Sequence, residues 1–316
     1  MPAVAVSDDL LIQALNLEEE YGSIHLALKA GAITGPRTTY AERAKIARLK
    51  GLRPTFRKDA PRIYSRKRLG RMHMVIPDVQ SKPGVRSDHL EWVGNYAAEK
   101  RPDVIVCIGD FWDFPSLSRY DKGKLAFEGR RYVHDVDAGR KAMERLLKPI
   151  HDYNRTAKEK WNPEMHFTLG NHEIRLSRIV DENPEFMGKF DLDDLGIKEY
   201  GWQMHDFLKV IKIDGVEYSH YFTSGVMGRP VSSAATLLRE RQCSATMGHV
   251  QHADVAMHKK TQQRALFCAT CYLHDEPYLG EQGNSQRRQI IMKHEVEDGR
   301  YDLMEVSLNF LEKAYS

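Results

Sequence analysis

The spacing of apolar and polar positions changes character at about residue 72. Before it, apolar residues recur at helical spacing in short stretches. After it, short apolar runs ending in glycine or a polar cluster alternate with longer amphipathic segments. The clearest run is VIVCIGDFWD, residues 104–113, which stops at Gly109 and places the carboxylates of Asp110 and Asp113 three residues apart. Apolar runs this short read as strands buried on both faces, in sheets covered by helices. In open α/β sheets the reactive groups lie just past the carboxyl ends of such strands.

The rest of that region follows the same rhythm. MHMVIPDV (72–79) predicts a strand leading into Asp78 and Gln80, and residues 87–100 a helix. Residues 135–154 predict a long helix with Ala142, Leu146 and Ile150 on one face. MHFTLGNHE is a strand running into Asn171, His172 and Glu173, with a helical turn over 171–180. Residues 181–203 are acidic and carry no clear period. FLKVIKIDGVEYSHYF reads as a hairpin turning at Asp214-Gly215 and delivering His220. Residues 231–241 are helical, and SATMGHVQH is a short strand ending at His249. Strands at about 252–258, 264–270, 288–295 and 301–308 make the C-terminal half predominantly β. There is no internal repeat.

Nearer the N-terminus, residues 8–21 predict a helix, with Ser7 as its cap and Leu11 and Leu15 one turn apart. Gly22-Ser23 ends it, and residues 24–30 form a second helix closed by Gly31. Thr39-x-x-Glu42 is a capping-box pattern opening a third helix to about Lys50. Tyr40, Ala44 and Ala47 form the inner face of that helix, while Arg43, Lys45, Arg48 and Lys50 project elsewhere. Three short helices, the last one basic, resemble a helix-turn-helix module. A small helical cap with a solvated basic face fits the same pattern. The expected organisation is a helical module over 1–52, a basic linker over 53–71 and an α/β domain over 72–316.

Charge sharpens this division. The net charge is only +3, but residues 37–71 hold thirteen Lys and Arg against Glu42 and Asp59, a local balance of +11. Arg62, Arg66, Lys67, Arg68 and Arg71 crowd the end of this segment, interleaved with Phe56 and Tyr64. Concentrated positive charge with aromatics is the footprint of a polyanion-binding arm, and DNA or RNA is the expected partner. With 41% hydrophobic and 29% charged residues the chain reads as soluble and globular. No apolar run approaches the ~18 residues that span a bilayer, and the first residues lack the basic start of a signal peptide. Four cysteines are too few for a disulfide scaffold, so a cytoplasmic location is expected and no membrane partner. Cys268-x-x-Cys271 has no second pair and reads as packing rather than a zinc knuckle.

Taken by strand end, the polar groups are Asp78-x-Gln80, Gly109-Asp110-x-x-Asp113, Gly170-Asn171-His172-Glu173, His220 and Gly248-His249-x-Gln251-His252. An isolated histidine after a strand is usually structural, but five clusters in this order are hard to obtain by accident. They offer carboxylate and amide oxygens with imidazole nitrogens, a mixture suited to Mn²⁺, Fe, Zn²⁺ or Ni²⁺.

The order D-x-[HQ], GD-x-x-D, GNHE, H, GH resembles the calcineurin-like metallophosphoesterase superfamily over about residues 72–256. The resemblance implies a four-layer α-β-β-α sandwich holding two divalent metal ions. It implies that Asp110 bridges both ions, that Asp78 and the residue at position 80 bind the first, and that Asn171, His220 and His249 bind the second. His172 would face the scissile phosphate rather than a metal, oriented by Asp113. A bridging hydroxide would attack in line, and His172 would protonate the leaving alkoxide or stabilise its charge.

Two positions depart from the family pattern. Many members have histidine at position 80 and a GH-x-H motif, where this chain has Gln80 and Gln251, with His252 one residue later. Both changes fall on the first metal. A neutral amide oxygen favours the harder Mn²⁺ or Mg²⁺ over Zn²⁺, and Mn²⁺ is the expected cofactor. A one-residue shift at a strand end reverses side-chain direction, which favours Gln251 over His252 in the ligand shell. A third departure concerns substrate. Phosphoprotein phosphatases of the superfamily follow the second aspartate with Arg-Gly, and here Asp113 is followed by Phe114-Pro115. The next stretch mixes Tyr120, Phe127 and Tyr132 with Arg119, Lys122, Lys124, Arg130 and Arg131, groups suited to stacking on bases or to packing as a loop core. The expected function is a metal-dependent phosphodiesterase or nuclease. The alternatives are a phosphomonoesterase acting on nucleotides or other small substrates, and a DNA-binding protein with a degenerate metal site.

Overall fold

The computed structural model describes residues 6–55, 70–276 and 280–316. The chain forms two compact units, Met1–Lys67 and Arg68–Ser316. Arg62, Arg66, Lys67 and Arg68, the heart of the expected nucleic-acid contact, lie outside the described residues.

The first unit contains α1 (Asp8–Tyr21), α2 (Ile24–Lys29) and α3 (Arg37–Leu49). Leu11, Ala14 and Leu15 of α1 bury against Ala44 and Ala47 of α3, and Tyr40 and Leu52 pack at the edge. Alanines at three of these five positions leave room for close helix approach. Ser7 stands before α1 but makes no side-chain cap, whereas Ser23 accepts the Leu26 N–H at the start of α2. The expected capping box at Thr39 and Glu42 is corrected: α3 begins two residues earlier, at Arg37, with Pro36 as its cap residue. Proline has the fixed φ, −60° here, that suits a helix entrance without any side-chain bond. Two basic residues of α3 are neutralised within the unit, Arg48 by Glu18 and Lys50 by Asp8.

The second unit begins with β1 (Arg71–Ile76), α4 (His89–Lys100), β2 (Val104–Cys107), α5 (Tyr132–Thr156), β3 (Glu164–Thr168), α6 (Arg175–Glu182) and β4 (Gln203–His205). It continues through β5 (Ile211–Ile213), β6 (Val216–Tyr218), a small ribbon of β7 (Thr223–Ser224) and β8 (Arg229–Pro230), then α7 (Ala234–Arg241) and β9 (Ser244–Met247). Last come β10 (Ala253–Met257), β11 (Arg264–Cys268), the short α8 (Gly280–Gly283), β12 (Gln289–Glu297), β13 (Arg300–Ser307) and α9 (Leu308–Tyr315). One sheet has the order β13-β12-β1-β2-β3-β4 and the other β10-β11-β9-β6-β5. β1 to β4 run parallel, as do β6, β9 and β11, with antiparallel strands at the margins.

Period-two alternation explains the layering. On β1, Met74 and Ile76 face α4, α5 and α9, while Val75 faces the second sheet; on β2, Ile105 and Cys107 divide from Val104 and Val106 in the same way. On β11, Leu266 and Cys268 enter the space between the sheets, and Ala265 and Phe267 turn outward to α7. The result is a four-layer α-β-β-α sandwich. Arg71, expected at the end of the linker and as a nucleic-acid contact, is the first residue of β1 and pairs with Glu164 (2.9 Å) and Asp214 (3.3 Å). No helix among the described residues is long and apolar enough to cross a membrane.

Candidate metal centre and its cleft

The parallel strands β1, β2, β3, β6 and β9 all end on one rim, and each hands a polar residue to it within a few positions. The loops that carry these residues are sharply bent. Gln80, Asp110, His249 and Gln251 all have φ between 47° and 67°, in the left-handed region that side chains other than glycine rarely adopt. Such backbone persists only where its surroundings hold it, and it clusters at functional sites. Here the Asp110 carbonyl accepts the N–H groups of Val79 (3.1 Å) and Gln80 (2.9 Å), tying the first two loops together.

Glu173 does most of the holding. Its buried carboxylate accepts the backbone N–H groups of Asp110 (3.0 Å), Phe111 (2.7 Å), Trp112 (3.0 Å) and Gly170 (2.8 Å). No role for it was evident from sequence, although it is the last letter of the GNHE motif.

Asp110, His220 and His249 bring ligand atoms within 4.8 Å of one another. His220 Nε2 lies 2.9 Å from Asn171 Oδ1 and 3.3 Å from Asp110 Oδ2, so Asn171 belongs to the same cluster. His220 Nδ1 lies 2.9 Å from the Ile108 carbonyl, an arrangement that keeps the proton on Nδ1 and aims the Nε2 lone pair into the cluster. Burial opposes ionisation of Asp110, but His172 and His220 outweigh it and hold the carboxyl well below its usual range. Burial also opposes protonation of His220, yet the Asp110 carboxylate raises it. Burial and then the neighbouring His220 push His249 down to about 4, leaving it a neutral imidazole.

Asp78 joins from the other side. Its Oδ1 accepts the His249 N–H at 3.1 Å, while its Oδ2 is buried with no hydrogen-bond partner, as is Gln80 Nε2. Burial raises the Asp78 carboxyl, and the nearby Asp110 adds to the rise against the opposing His220. Two neighbouring buried carboxylates, one of them with an orphaned oxygen, form a donor set that a divalent cation would satisfy. Two glycines leave the room: a Cβ at Gly170 would stand 2.2 Å from Asp110 Oδ1, and one at Gly248 would stand 2.4 Å from Asp78 Oδ1. The residues therefore fit the metal that this donor chemistry implies. Gln251 Oε1 lies 3.3 Å from the Tyr272 hydroxyl, whereas the exposed His252 turns its ring towards Phe267 on the outer face of the second sheet.

His172 stands at the cluster's edge. Its Nδ1 lies 2.9 Å from Asp113 Oδ1, and its Nε2 lies 3.8 Å from Asp110 Oδ2. Burial lowers its affinity for a proton, but Asp110 and Asp113 together raise it above the usual value. Lys82, which bridges Asp113 (3.0 Å) and Glu276, and Arg175, whose Nη1 donates to the Asp113 carbonyl at 2.6 Å, surround the pair. Sequence reasoning passed over both. The available signals were a lysine two residues after Gln80 and an arginine one helical turn after His172.

Asn171, His172 and Arg175 line a cleft of about 1000 Å³ that extends past Tyr120, Lys124, Arg130 and His134. The aromatics of this loop divide. Trp112 and Phe114 are fully buried, Phe114 stacks on Tyr132, and Tyr120 stands 85% exposed on the cleft wall. The cleft's cations are matched by Asp121, Glu128, Asp135, Asp275 and Glu276 on the same walls, so it is mixed in charge rather than basic.

A similar structure is Vps29 from Entamoeba histolytica complexed with zinc, at 13% identity and a TM-score of 0.31, covering 75% of this chain and 99% of that one. Among curated proteins, none matches the sequence. The sequence profile described as calcineurin-like phosphoesterase matches residues 73–256, which takes in every residue of the metal cluster and the His172–Asp113 pair. With more than half of the chain accounted for by that match, this protein belongs to the calcineurin-like phosphoesterase family, hydrolases that work with divalent metal ions.

Proposed function

We propose that the protein is a phosphodiesterase acting on nucleic acid, with two divalent ions, Mn²⁺ first among them. Asp110 would be shared, Asp78, Gln80 and Gln251 would serve one ion, and Asn171, His220 and His249 the other. When bound, such ions supply Lewis acidity at the phosphate and a water acidified towards neutral pH.

The chain's own residues supply the rest. Asp113 fixes the His172 ring through Nδ1 and leaves Nε2 towards the cleft, where it would hand a proton to the departing oxygen. Glu173 holds the Asp110 and Gly170 loops rigid so that the carboxylate need not reorganise during reaction. The observation that carries the nucleic-acid part is the local balance of +11 over residues 37–71. A helix-turn-helix-like module over 1–52 followed by a basic linker would grip the polyanion, and the catalytic domain would cut it.

The mixed charge of the cleft favours a second reading, a phosphomonoesterase for small substrates, because a polyanion gains little from those walls. Elemental analysis of purified protein, combined with assays on single- and double-stranded DNA and RNA and on simple mono- and diesters with Mn²⁺, separates the two. Cleavage of nucleic acid and of the diester supports the proposal, and hydrolysis of the monoester alone supports the second reading. Metal-loaded protein that cleaves none of them would leave a binding protein with a degenerate site.

A further inference from the structure

Arg175 opens α6 one turn beyond His172 and is held in an unusual way. Its Nη1 donates to two main-chain carbonyls, of Asp113 at 2.6 Å and of Phe114 at 3.1 Å. Its Nη2 lies 3.1 Å from His172 Nε2, and the side chain lines the cleft. Among the described residues its ion-pair partner is Asp113, 3.8 Å from Nη1, and that carboxylate is already taken by His172 at 2.9 Å and Lys82 at 3.0 Å. The guanidinium is thus positioned by neutral carbonyls and keeps its charge for the cleft. Lys82 contrasts with it, because it lies between two carboxylates, Asp113 and Glu276.

Arg175 Nη2 and His172 Nε2 lie within hydrogen-bond distance, but a bond between an arginine N–H and a ring nitrogen is weak. A phosphate oxygen arriving beside His172 would offer the same N–H a charge-assisted bond, for which the planar guanidinium is well suited. The geometry points to Arg175 as the group that binds a non-bridging oxygen of the substrate's phosphate. The inference rests on the phosphoesterase reading and is independent of whether the ester belongs to nucleic acid.

The test is the affinity of Mn²⁺-loaded protein for inorganic phosphate, by titration calorimetry, in wild type, Arg175→Gln and Arg175→Lys. Loss of a charge-assisted bond should weaken phosphate binding ~10–100-fold in Arg175→Gln and by less in Arg175→Lys, with manganese content retained. Hydrolysis of activated and unactivated esters should fall by the same factor, since a bond to a non-bridging oxygen is indifferent to the leaving group. Equal phosphate affinity in wild type and both variants, including none in any of them, overturns the assignment. So does intact phosphate affinity with losses confined to poor leaving groups, which would mean that Arg175 acts only through His172. If Arg175→Gln does not fold, Arg175→Lys alone decides, and unchanged affinity there counts against the idea. Failure to cut nucleic acid while phosphate binding still depends on Arg175 would overturn the substrate proposal and leave this one standing.

Discussion

His172 and Asp113 meet at a single ring nitrogen: Nδ1 lies 2.9 Å from the carboxylate Oδ1 and 2.8 Å from the Asp113 backbone oxygen. Two acceptors at one nitrogen fix the tautomer, with the proton on Nδ1 and Nε2 directed to the cleft. His172→Ala should therefore lower turnover by ~10² or more while manganese content survives. Asp113→Asn keeps the backbone acceptor but removes the charge, so it should cost less than the alanine at His172. Parallel elemental analysis and ester hydrolysis check both. Metal lost along with activity in His172→Ala would mean that the ring belongs to the metal shell.

Glu173 is the structural keystone of the same rim, and its prediction concerns stability before activity. Removing the carboxylate leaves four buried N–H groups, those of Asp110, Phe111, Trp112 and Gly170, without their acceptor. A buried donor left unpaired costs ~1–3 kcal/mol, so Glu173→Ala should destabilise the domain by more than ~3 kcal/mol. Glu173→Gln retains one acceptor oxygen and should recover part of the loss. Urea unfolding of the two variants measures the difference. A Glu173→Ala protein as stable as wild type would show that water replaces the carboxylate at no cost.

Gly248 separates metal binding from folding. A methyl group there would stand 2.4 Å from Asp78 Oδ1, closer than any side chain tolerates, and the cheapest relief is to turn that carboxylate. Gly248→Ala should weaken Mn²⁺ binding ~10–100-fold, the range seen when ligand-orienting groups are disturbed. Far-UV circular dichroism should stay unchanged. Metal titration of the variant checks this, and wild-type affinity would place Asp78 outside the ligand set.

The parts legible in sequence were those with a local period or a motif. Strands whose residues alternate between two buried faces, such as Val104 to Cys107, announce themselves as apolar runs, and Asp214-Gly215 announces the hairpin between β5 and β6. Helix ends were less legible, because Pro36 starts α3 where a capping-box pattern pointed to Thr39. Arg71 stands in a basic run, and its ion-pair partners Glu164 and Asp214 are far away in sequence. The same applies to Glu173, Lys82 and Arg175, whose functions are contacts across loops that no spacing rule encodes. The small strands β4, β7 and β8 carry too few residues to show a period.

Between the two sheets lies a charge that no reaction requires, Lys293 on β12. It is fully buried, its Nζ lies 3.3 Å from the Tyr218 hydroxyl, and it sits over the rings of Tyr218 (4.4 Å) and Tyr301 (4.7 Å). Burial lowers its pKa to about 7. In the unfolded chain the same amine titrates near ~10.4. The unfolded state thus binds the extra proton between those two values, and stability contributed by this site rises with pH across that window. Below pH 7 the full cost of a buried ammonium is present, on the order of a few kcal/mol after the rings' attraction for the cation is allowed for. The groups facing it stay neutral over the window: Tyr218 and Tyr301 are pushed up by burial, Cys268 is raised to about 12, and His73 is lowered to about 4. Lys293→Met should therefore be more stable than wild type at pH 6, with the gap between the two narrowing towards pH 9.5. Urea midpoints at several pH values measure that gap, and a gap that does not change with pH would mean that the ammonium keeps its proton throughout.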